Sequence, residues 1–415
     1  MTDFYDCKEK LKHIFYEKGR MMNEKRQTST LEVITIILII LIVVVGSIYT
    51  IAINPVKPQQ SAATKAFKQG NGDPLSYWTD DSETKKQLLS YMEAITDESS
   101  PDFIPVERRV ATFDLDGTLF GETNPIYFDH SLLLYRVLQD PDYIDKASDT
   151  EKETCYEMLE GIREDTYPEG MDIKHGQGVA SAFAGMTVDE FVDYCEEFRK
   201  QPAPGYDNLL REDMFYKPML QIVEFLQAYD FTVYVVSGTD RLILRGIVDG
   251  KIDIPYSQVK GSCETLVATN QNGEDGLSYV FTGDDQVILG GDFIIKNLKM
   301  NKVSLIVQEI GVQPVLAFGN SSGDTSMLNY AVFNNDYKSM SFALCCDDLD
   351  REYGNLKKAE KMLDLCNQYG WTPISMKNDW STIYGEDVKK NPDNGLDFYY
   401  DYEIDEALDD VADAS

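Results

Sequence analysis

Residues 110–119 read VATFDLDGTL, and this stretch decides the fold. Its first four residues are apolar or β-prone, and two aspartates, Asp114 and Asp116, follow at once, before Gly117. A short apolar run that ends in Asp and Gly predicts a buried strand that opens into a loop. We therefore expect the two carboxylates at the tip of a strand, in the crevice where parallel α/β sheets bind their ligands.

Two carboxylates this close together repel each other, and a divalent cation relieves the repulsion. Mg²⁺ prefers carboxylates, carbonyls and water as ligands. One carboxylate can then act as a nucleophile while the other transfers protons. The competing interpretation is an acidic turn or a calcium loop. Glu122 comes too early to be the last ligand of such a loop, and a buried strand precedes the motif.

The heptapeptide FDLDGTL, residues 113–119, resembles the first motif of the haloacid dehalogenase-like (HAD) phosphatases letter for letter. The resemblance implies a Rossmann-like α/β core with a parallel sheet, a helical cap inserted after the first core strand, and Mg²⁺ as cofactor. It also implies that Asp114 attacks phosphorus to form an aspartyl-phosphate, and that Asp116 protonates the leaving oxygen and then activates water. Thr118, in the same motif, is assigned to phosphate binding.

A second segment supplies a predicted phosphate site. Ser237 and Gly238 follow the apolar run 231–236, which reads as another buried strand. A hydroxyl beside a backbone that a ligand can approach closely suits a phosphoryl oxygen, helped by the start of the helix near Asp240. On its own the sequence Ser-Gly-Thr would indicate only a turn. Its position after a buried strand, downstream of the first motif, favours the phosphate site.

A third segment should supply a lysine that neutralises the phosphate and the nucleophile. Lys296, Lys299 and Lys302 compete for this role. We prefer Lys302 because it begins the helix that precedes the loop GNSSGD, residues 319–324, as the third motif of the family does. An ordinary surface position is the expectation for the other two lysines.

Asn320 and Asp324, in that loop, are expected to complete the metal site together with Asp114 and Asp116. Most family members have Asp where Asn320 stands. An amide oxygen still binds Mg²⁺, but the lost charge puts the metal affinity in question. A non-catalytic binding protein of the cell envelope is therefore the alternative to a phosphatase, and a phosphotransferase would differ from a phosphatase in its acceptor only.

The substrate is less well defined than the chemistry. Residues 316–328 and 370–380 resemble the phosphoserine- and phosphorylcholine-phosphatase-like branch, which implies a small phosphorylated substrate. Glu122 stands where related enzymes contact a substrate ammonium, so a cationic head group is one option and an exposed loop glutamate is the other. His130 and His175 are predicted to be ordinary cap residues, because the mechanism needs no histidine.

Residues 33–53 are almost uninterruptedly apolar and have the length of a membrane-spanning helix. Lysines and arginines are denser before this stretch than just after it, which predicts a cytoplasmic N-terminus and a catalytic domain outside a bacterial cell membrane. A cleaved signal peptide is the alternative. The apolar stretch is long for one, and no convincing cleavage site follows directly.

The composition excludes some partners. The net charge is −33 and the pI is about 4.4, and no basic cluster offers a footprint for nucleic acid. Seven scattered cysteines do not indicate a disulfide scaffold, and the lack of a Cys-x-x-Cys pair argues against a zinc site.

The chain therefore divides into seven predicted parts. They are a cytoplasmic segment (1–32), a membrane span (33–53), a linker (54–74), the start of the core (75–119), the helical cap (120–213), the rest of the core (214–390) and an acidic disordered tail (391–415). The expected elements outside the cap are a helix at 75–96, strands at 110–113, 231–236, 315–318 and 341–345, hairpins at 263–295, and helices at 217–229 and 302–310.

Overall fold

The computed structural model describes residues 73–122 and 125–402, together with Glu17. The strands are β1 (Val110–Phe113), β2 (Tyr206–Asp207), β3 (Thr232–Asp240), β4 (Val259–Ala268), β5 (Val287–Ile295), β6 (Leu316–Gly319), β7 (Met340–Cys345), β8 (Thr372–Ser375) and β9 (Lys389–Lys390). The α-helices of this part are α1 (Glu83–Thr96), α2 (Phe128–Leu138), α3 (Asp149–Arg163), α4 (Met171–Ala182), α5 (Val188–Arg199), α6 (Lys217–Ala228), α7 (Arg241–Val248), α8 (Met300–Leu305), α9 (Thr325–Val332), α10 (Leu356–Tyr369), α11 (Met376–Asp379) and α12 (Asp397–Tyr400).

Seven strands form one sheet in the order β5-β4-β3-β1-β6-β7-β8. All neighbouring strands run parallel except β4 and β5, which are antiparallel. Helices connect the parallel strands, as a parallel sheet requires. The prediction of an α/β fold with a parallel sheet is therefore confirmed for a sheet that is mostly, rather than wholly, parallel.

The strand that the opening motif predicted lies at the centre of the sheet. Every residue of β1 is buried, which explains why its sequence, apolar except for Thr112, does not alternate between apolar and charged residues. The ring of Phe113 stacks on that of Phe318 in β6, with centroids 4.2 Å apart, and Phe318 stacks on Phe342 in β7 at 4.8 Å. This row of aromatic rings ties β1, β6 and β7 together.

Four helices, α2 to α5, stand between β1 and β3 in the range where the cap was predicted. Two of them start with a capping box, in which a hydroxyl and a glutamate satisfy each other's backbone amides: Ser148 with Glu151, and Thr187 with Glu190. The hairpin formed by β4 and β5 extends from the core to these helices. A side chain at Gly176 of α4 would collide with the Phe293 ring of β5.

Two predicted helices differ in their limits. The helix expected at 75–96 begins at Glu83, because the hydroxyl of Ser82 caps it by accepting from the amide of Lys85 at 3.0 Å. Trp78, which precedes this helix and is buried, forms an isolated β-bridge with Trp380 instead. The helix expected from 302 begins two residues earlier, at Met300.

The C-terminal part is more ordered than the sequence predicted. An acidic disordered tail was expected at 391–415, whereas α12 forms there and Tyr399 is only 3% exposed. The hydroxyl of Tyr399 accepts a hydrogen bond from the guanidinium of Arg211 at 3.0 Å, which anchors the helix. Residues 403–415 lie outside the described part.

The predicted membrane span at 33–53 also lies outside the described residues. Among the residues that are described, no helix combines the length and the apolar character needed to cross a bilayer.

Candidate active site

The carboxyl ends of β1, β3 and β6 meet at one edge of the sheet. Phe113, the last residue of β1, pairs with Val235 of β3 and with Phe318 of β6. The amide of Asp114 donates to the carbonyl oxygen of Phe318 at 2.9 Å, so Asp114 sits just past the end of β1. Because these strands run parallel, the residues that follow each of them gather at the same edge.

Lys302 lies at this edge and is fully buried, with 0% of its surface exposed. Its ammonium donates to Oδ1 of Asp114 and to Oδ1 of Asp324, each at 2.6 Å. Burial disfavours the cation, but the two carboxylates outweigh burial and raise the pKa of Lys302. The structure thus places Lys302, rather than Lys296 or Lys299, against both carboxylates.

Asp114 is electrostatically strained despite its bond to Lys302. Burial and the negative charge of Asp324 raise the pKa of Asp114 to about 7, with Lys302 acting in the opposite direction. Two carboxylates share a single cation here, so the cluster favours either a proton or a further positive charge. A metal ion bound at this point would satisfy that demand.

Asp116 has a different environment, although it is only two residues away. Its Oδ2 accepts a hydrogen bond from the hydroxyl of Thr239 at 2.7 Å, and its Oδ1 is buried with no partner among the described residues. Burial, followed by the charges of Asp129 and Asp114, raises the pKa of Asp116 well above the ordinary value. A carboxyl whose pKa is raised in this way holds a proton more readily than an ordinary carboxyl does, which suits a proton donor.

A glycine allows the first motif to approach the loop after β6. Gly117 has a φ of 76°, a conformation that glycine adopts without steric cost. A Cβ at this position would lie 1.8 Å from Nδ2 of Asn320. No other residue type fits such a gap, so the pairing of the two loops depends on glycine at 117.

Asp324 organises the loop after β6. Its Oδ2 accepts from the amides of Asn320 and Ser321, at 3.1 Å and 3.0 Å, and from the hydroxyl of Ser321 at 3.1 Å. Its Oδ1 accepts from Lys302. Asp324 therefore shapes the loop and positions the lysine at the same time.

The predicted magnesium ligands fit such an ion unequally. Asp116 and Asn320 each keep a buried side-chain oxygen, Oδ1, for which residues 73–122 and 125–402 offer no hydrogen-bond donor. Carboxylate and amide oxygens of this kind suit Mg²⁺, so Asp114, Asp116 and Asn320 would hold it. Both oxygens of Asp324 are already engaged, and a direct metal bond would have to replace one of those donors.

The predicted phosphate loop follows the apolar part of β3. The hydroxyl oxygen of Ser237 accepts from the amide of Thr239 at 3.2 Å, and its carbonyl oxygen accepts from the amide group of Asn297 at 3.0 Å. A side chain at Gly238 would approach Leu298 to 2.6 Å. These contacts fix Ser237 and Gly238 within the last part of β3, which continues to Asp240 and does not end at residue 236 as the sequence predicted.

Thr118 and Glu122 are the two remaining predicted contacts. Thr118 has a buried hydroxyl with no partner in the part of the chain that is described, so a ligand oxygen would satisfy it. Glu122 is already paired, because it forms a salt bridge with Lys358 of α10 and accepts from the hydroxyl of Tyr127 at 3.4 Å. A substrate ammonium at Glu122 would have to compete with Lys358.

Sequence reasoning missed three residues of this site: Thr239, Asn297 and Lys358. Thr239 stands two residues after Ser237 in the segment predicted to bind phosphate, and this proximity could have identified it as a site residue. Asn297 and Lys358 carry no comparable signal, because each joins the site through a contact between distant segments.

Comparisons with solved structures find proteins of low sequence identity to this chain. A structure of a conserved, functionally unknown protein from Anaerococcus prevotii DSM 20548 is 14% identical, with 70% of this chain and 91% of that chain covered and a TM-score of 0.42. A phosphoserine phosphohydrolase-like protein from Francisella tularensis subsp. tularensis SCHU S4 is 16% identical (61% and 92% covered, TM-score 0.33). Cytosolic 5'-nucleotidase IIIB bound to cytidine is 12% identical (74% and 97% covered, TM-score 0.40).

A comparison with curated protein sequences finds no match. The family assignment therefore rests on a sequence model and not on any single relative. The model described as haloacid dehalogenase-like hydrolase matches residues 111–329, which is more than half of the chain and includes every predicted catalytic motif. The chain belongs to the haloacid dehalogenase-like hydrolase family.

Proposed function

We propose that this hydrolase is a Mg²⁺-dependent phosphatase that cleaves a small phosphate monoester through an aspartyl-phosphate at Asp114. The observation that carries the proposal is the buried contact of Lys302 with both Asp114 and Asp324, at 2.6 Å each. A buried lysine between two carboxylates is costly to build, and a site that must neutralise a phosphoryl group gives a reason for it.

The two aspartates of the first motif divide the chemistry. Asp114 is held by Lys302 and is the nucleophile. Asp116 was predicted both as a metal ligand and as a proton donor, and these roles compete for the same side-chain oxygens. The bond from Thr239 and the raised pKa of Asp116 favour the proton donor. Mg²⁺, when bound, supplies positive charge to the transferring phosphoryl group.

Replacing Asp116 by Asn tests the covalent route. The variant keeps a side chain of the same size but cannot give a proton to the leaving group or take one from water. We expect phosphate release to fall by about 10²–10⁴-fold. We also expect acid-quenched protein to carry a phosphoryl group on Asp114, detected by mass spectrometry of the peptide that contains residues 110–119, when an activated aryl phosphate is the substrate.

The activated aryl phosphate matters because its leaving group needs no proton. Transfer of the phosphoryl group to Asp114 therefore still occurs in the variant, while hydrolysis of the aspartyl-phosphate is slowed. Asp140→Asn is the matched control, since Asp140 is also buried and hydrogen-bonded, to Arg136, but lies in the cap. Hydrolysis by the parent without any labelled Asp114 in the variant would contradict the covalent route. No hydrolysis by the parent with Mg²⁺ would favour the non-catalytic binding protein.

The proposed substrate class rests on the family resemblance and on the charge near Glu122. A small phosphorylated molecule agrees with the resemblance to the phosphoserine- and phosphorylcholine-phosphatase-like branch. The salt bridge between Glu122 and Lys358 leaves that glutamate neutralised, so the site offers less to a cationic head group than the sequence suggested. A phosphometabolite panel that includes cationic and uncharged head groups separates these options.

The location of the enzyme is a separate proposal, and it rests on sequence alone. We propose that residues 33–53 anchor the chain in the membrane by a single span, with the N-terminus cytoplasmic and the hydrolase domain outside. The length of the apolar stretch and the excess of Lys and Arg before it support this orientation.

Protease treatment of intact cells tests the orientation. An added protease should digest a domain that lies outside, leaving a short membrane-bound fragment, while a cytoplasmic marker protein stays intact. Full protection of the hydrolase domain in the same cells, with digestion only after lysis, would refute the proposed orientation.

A further inference from the structure

A second cluster of potential ligands lies in the cap, apart from the residues predicted to bind Mg²⁺. It consists of Asp129 and His130 in the first turn of α2 and His175 in α4. All three side chains are almost completely buried, and His175 is only 2% exposed. Two neighbouring helices of the cap therefore place a carboxylate and two imidazoles together in the interior.

The three side chains share one small volume. Oδ1 of Asp129 lies 2.8 Å from Nδ1 of His130, and Oδ2 of Asp129 lies 3.9 Å from Nδ1 of His175. The two imidazole rings stack with centroids 3.8 Å apart. One ligand atom from each residue can be chosen so that all three lie within 4.8 Å of one another. A single carboxylate thus faces both histidines.

His175 is the member of this cluster that protein contacts do not explain. The ring of His130 is satisfied by Asp129 on one side and by the hydroxyl of Tyr167 at 3.2 Å on the other. Neither ring nitrogen of His175 has a hydrogen-bond partner within the described ranges. Buried polar groups are nearly always paired, and an unpaired one points to a missing water, ion or catalytic role.

We propose that Asp129, His130 and His175 bind a divalent ion of the Zn²⁺ type, with an imidazole nitrogen from each histidine and a carboxylate oxygen as ligands. Imidazole suits Zn²⁺ and its neighbours in the first transition series, whereas Mg²⁺ and Ca²⁺ prefer all-oxygen sites. The ligand set differs from the cysteine pairs whose absence argued against zinc. The proposal does not rest on the proposed phosphatase activity, although the charge of Asp129 acts on Asp116 of the candidate active site.

The geometry requires an imidazole ring to turn, because the stacked rings lie in nearly parallel planes and their nitrogen lone pairs do not converge on one point. Zinc bonds of about 2.0–2.1 Å place tetrahedral ligand atoms roughly 3.4 Å apart, so separations of up to 4.8 Å must shorten as well, by as much as about 1.4 Å. His130 would exchange its bond to Asp129 for one to the metal. Lys296 acts electrostatically on Asp129, and an arriving dication has to compete with it.

A purely structural histidine pair is the competing explanation. It accounts for Asp129 and His130, which satisfy each other, but it leaves a buried imidazole with two unpaired nitrogens. A bound ion engages His175 as well and ties α2 to α4, the helices that carry the cluster. Metal binding should therefore stabilise the folded protein, because an ion bound only by the native state raises the melting temperature.

Zinc binding by the full-length chain, purified and stripped with a chelator, tests the proposal. Equilibrium dialysis against Zn²⁺ in excess Mg²⁺, followed by elemental analysis, should give one tightly bound zinc per chain. His175→Gln should weaken binding at least tenfold. The matched control is His13→Gln, which removes the one other histidine of the sequence and should leave binding unchanged.

Two further measurements make the result unambiguous. The six cysteines of the described part are free thiols, which could also bind zinc. X-ray absorption distinguishes the two kinds of site, and it should show nitrogen and oxygen around the zinc and no sulfur. Zinc should raise the melting temperature of the parent and of His13→Gln, but not of His175→Gln. If His175→Gln fails to fold without metal, Asp129→Asn replaces it.

The proposal is overturned if the parent binds no zinc in excess Mg²⁺. It is also overturned if the variants at 129 and 175 bind zinc as the parent does, or if sulfur appears among the ligands.

Discussion

Asp114→Asn is expected to abolish phosphate release while leaving the fold intact. The amide cannot attack phosphorus, so turnover should fall by roughly 10⁴–10⁶-fold, the range seen when a covalent nucleophile is removed. Initial rates of phosphate release from an aryl phosphate with saturating Mg²⁺ measure the loss. Asp140→Asn serves again as the control, because it removes a buried, hydrogen-bonded carboxylate outside the site.

The stability of Asp114→Asn separates a chemical effect from a folding effect. Burial and Asp324 raise the pKa of Asp114 to about 7, so the folded state binds its proton more readily than the unfolded state does. Between about pH 4 and pH 7 this group therefore lowers stability as the pH rises. At pH 8, without metal, the uncharged Asn should leave the melting temperature equal or higher, and Lys302 still has Asp324 as a partner.

A marked fall in melting temperature would show instead that the lost activity reflects unfolding. Activity that survives in a folded Asp114→Asn protein would remove Asp114 from the mechanism. The two measurements together decide between a nucleophile and a structural carboxylate.

Much of the central sheet was readable from the sequence because each of its strands is short, apolar and followed by polar residues. The residues after β1 and β6 and the last residues of β3 are the ones that carry the chemistry, so pattern and motif point to the same positions. The loop after β6 was readable because it matches a family motif, and a Cβ at Gly319 would lie 2.6 Å from the side chain of Asp324.

The outer parts of the fold were not readable in this way. The edge strand β8 contains Pro373, which a sequence pattern excludes from a strand but which an edge position tolerates. The helix at Asp397–Tyr400 lies in an acidic stretch typical of disorder. Its order depends on burial of Tyr399, a contact with distant residues such as Arg211. Tertiary contacts of this kind leave no local periodicity.

The same limit applies to the candidate site. Glu122 and Lys358 are 236 residues apart in the chain, and their salt bridge changes what Glu122 can bind. Nothing in the sequence of α10 distinguishes Lys358 from a surface lysine on an amphipathic helix. Lys302 could be chosen from the sequence only because its place before the 319–324 loop matches a family motif. Its local sequence does not distinguish it from Lys296 and Lys299.

Lys302→Met is expected to cause the largest loss of stability of any single change in the site. Methionine fills a similar volume but leaves Asp114 and Asp324 buried without their shared cation. Breaking a buried ion pair from one side costs about 3–5 kcal/mol in the free energy of unfolding. Urea unfolding of the metal-free protein measures the loss. Lys338→Met, which breaks an exposed pair with Asp102, should cost under about 1 kcal/mol.

The pH dependence of this variant distinguishes an electrostatic cause from poor packing. Without Lys302 the pKa of Asp114 should rise above about 7, because Lys302 lowers it in the parent. The folded state then binds protons more strongly than the unfolded state, so stability lost at pH 8 should partly return at pH 5.5. Adding Asp114→Asn to Lys302→Met should restore part of it at pH 8. A deficit that is constant with pH and unaffected by Asp114→Asn would indicate a packing defect, and the lysine would then not be the counter-charge on which the site depends.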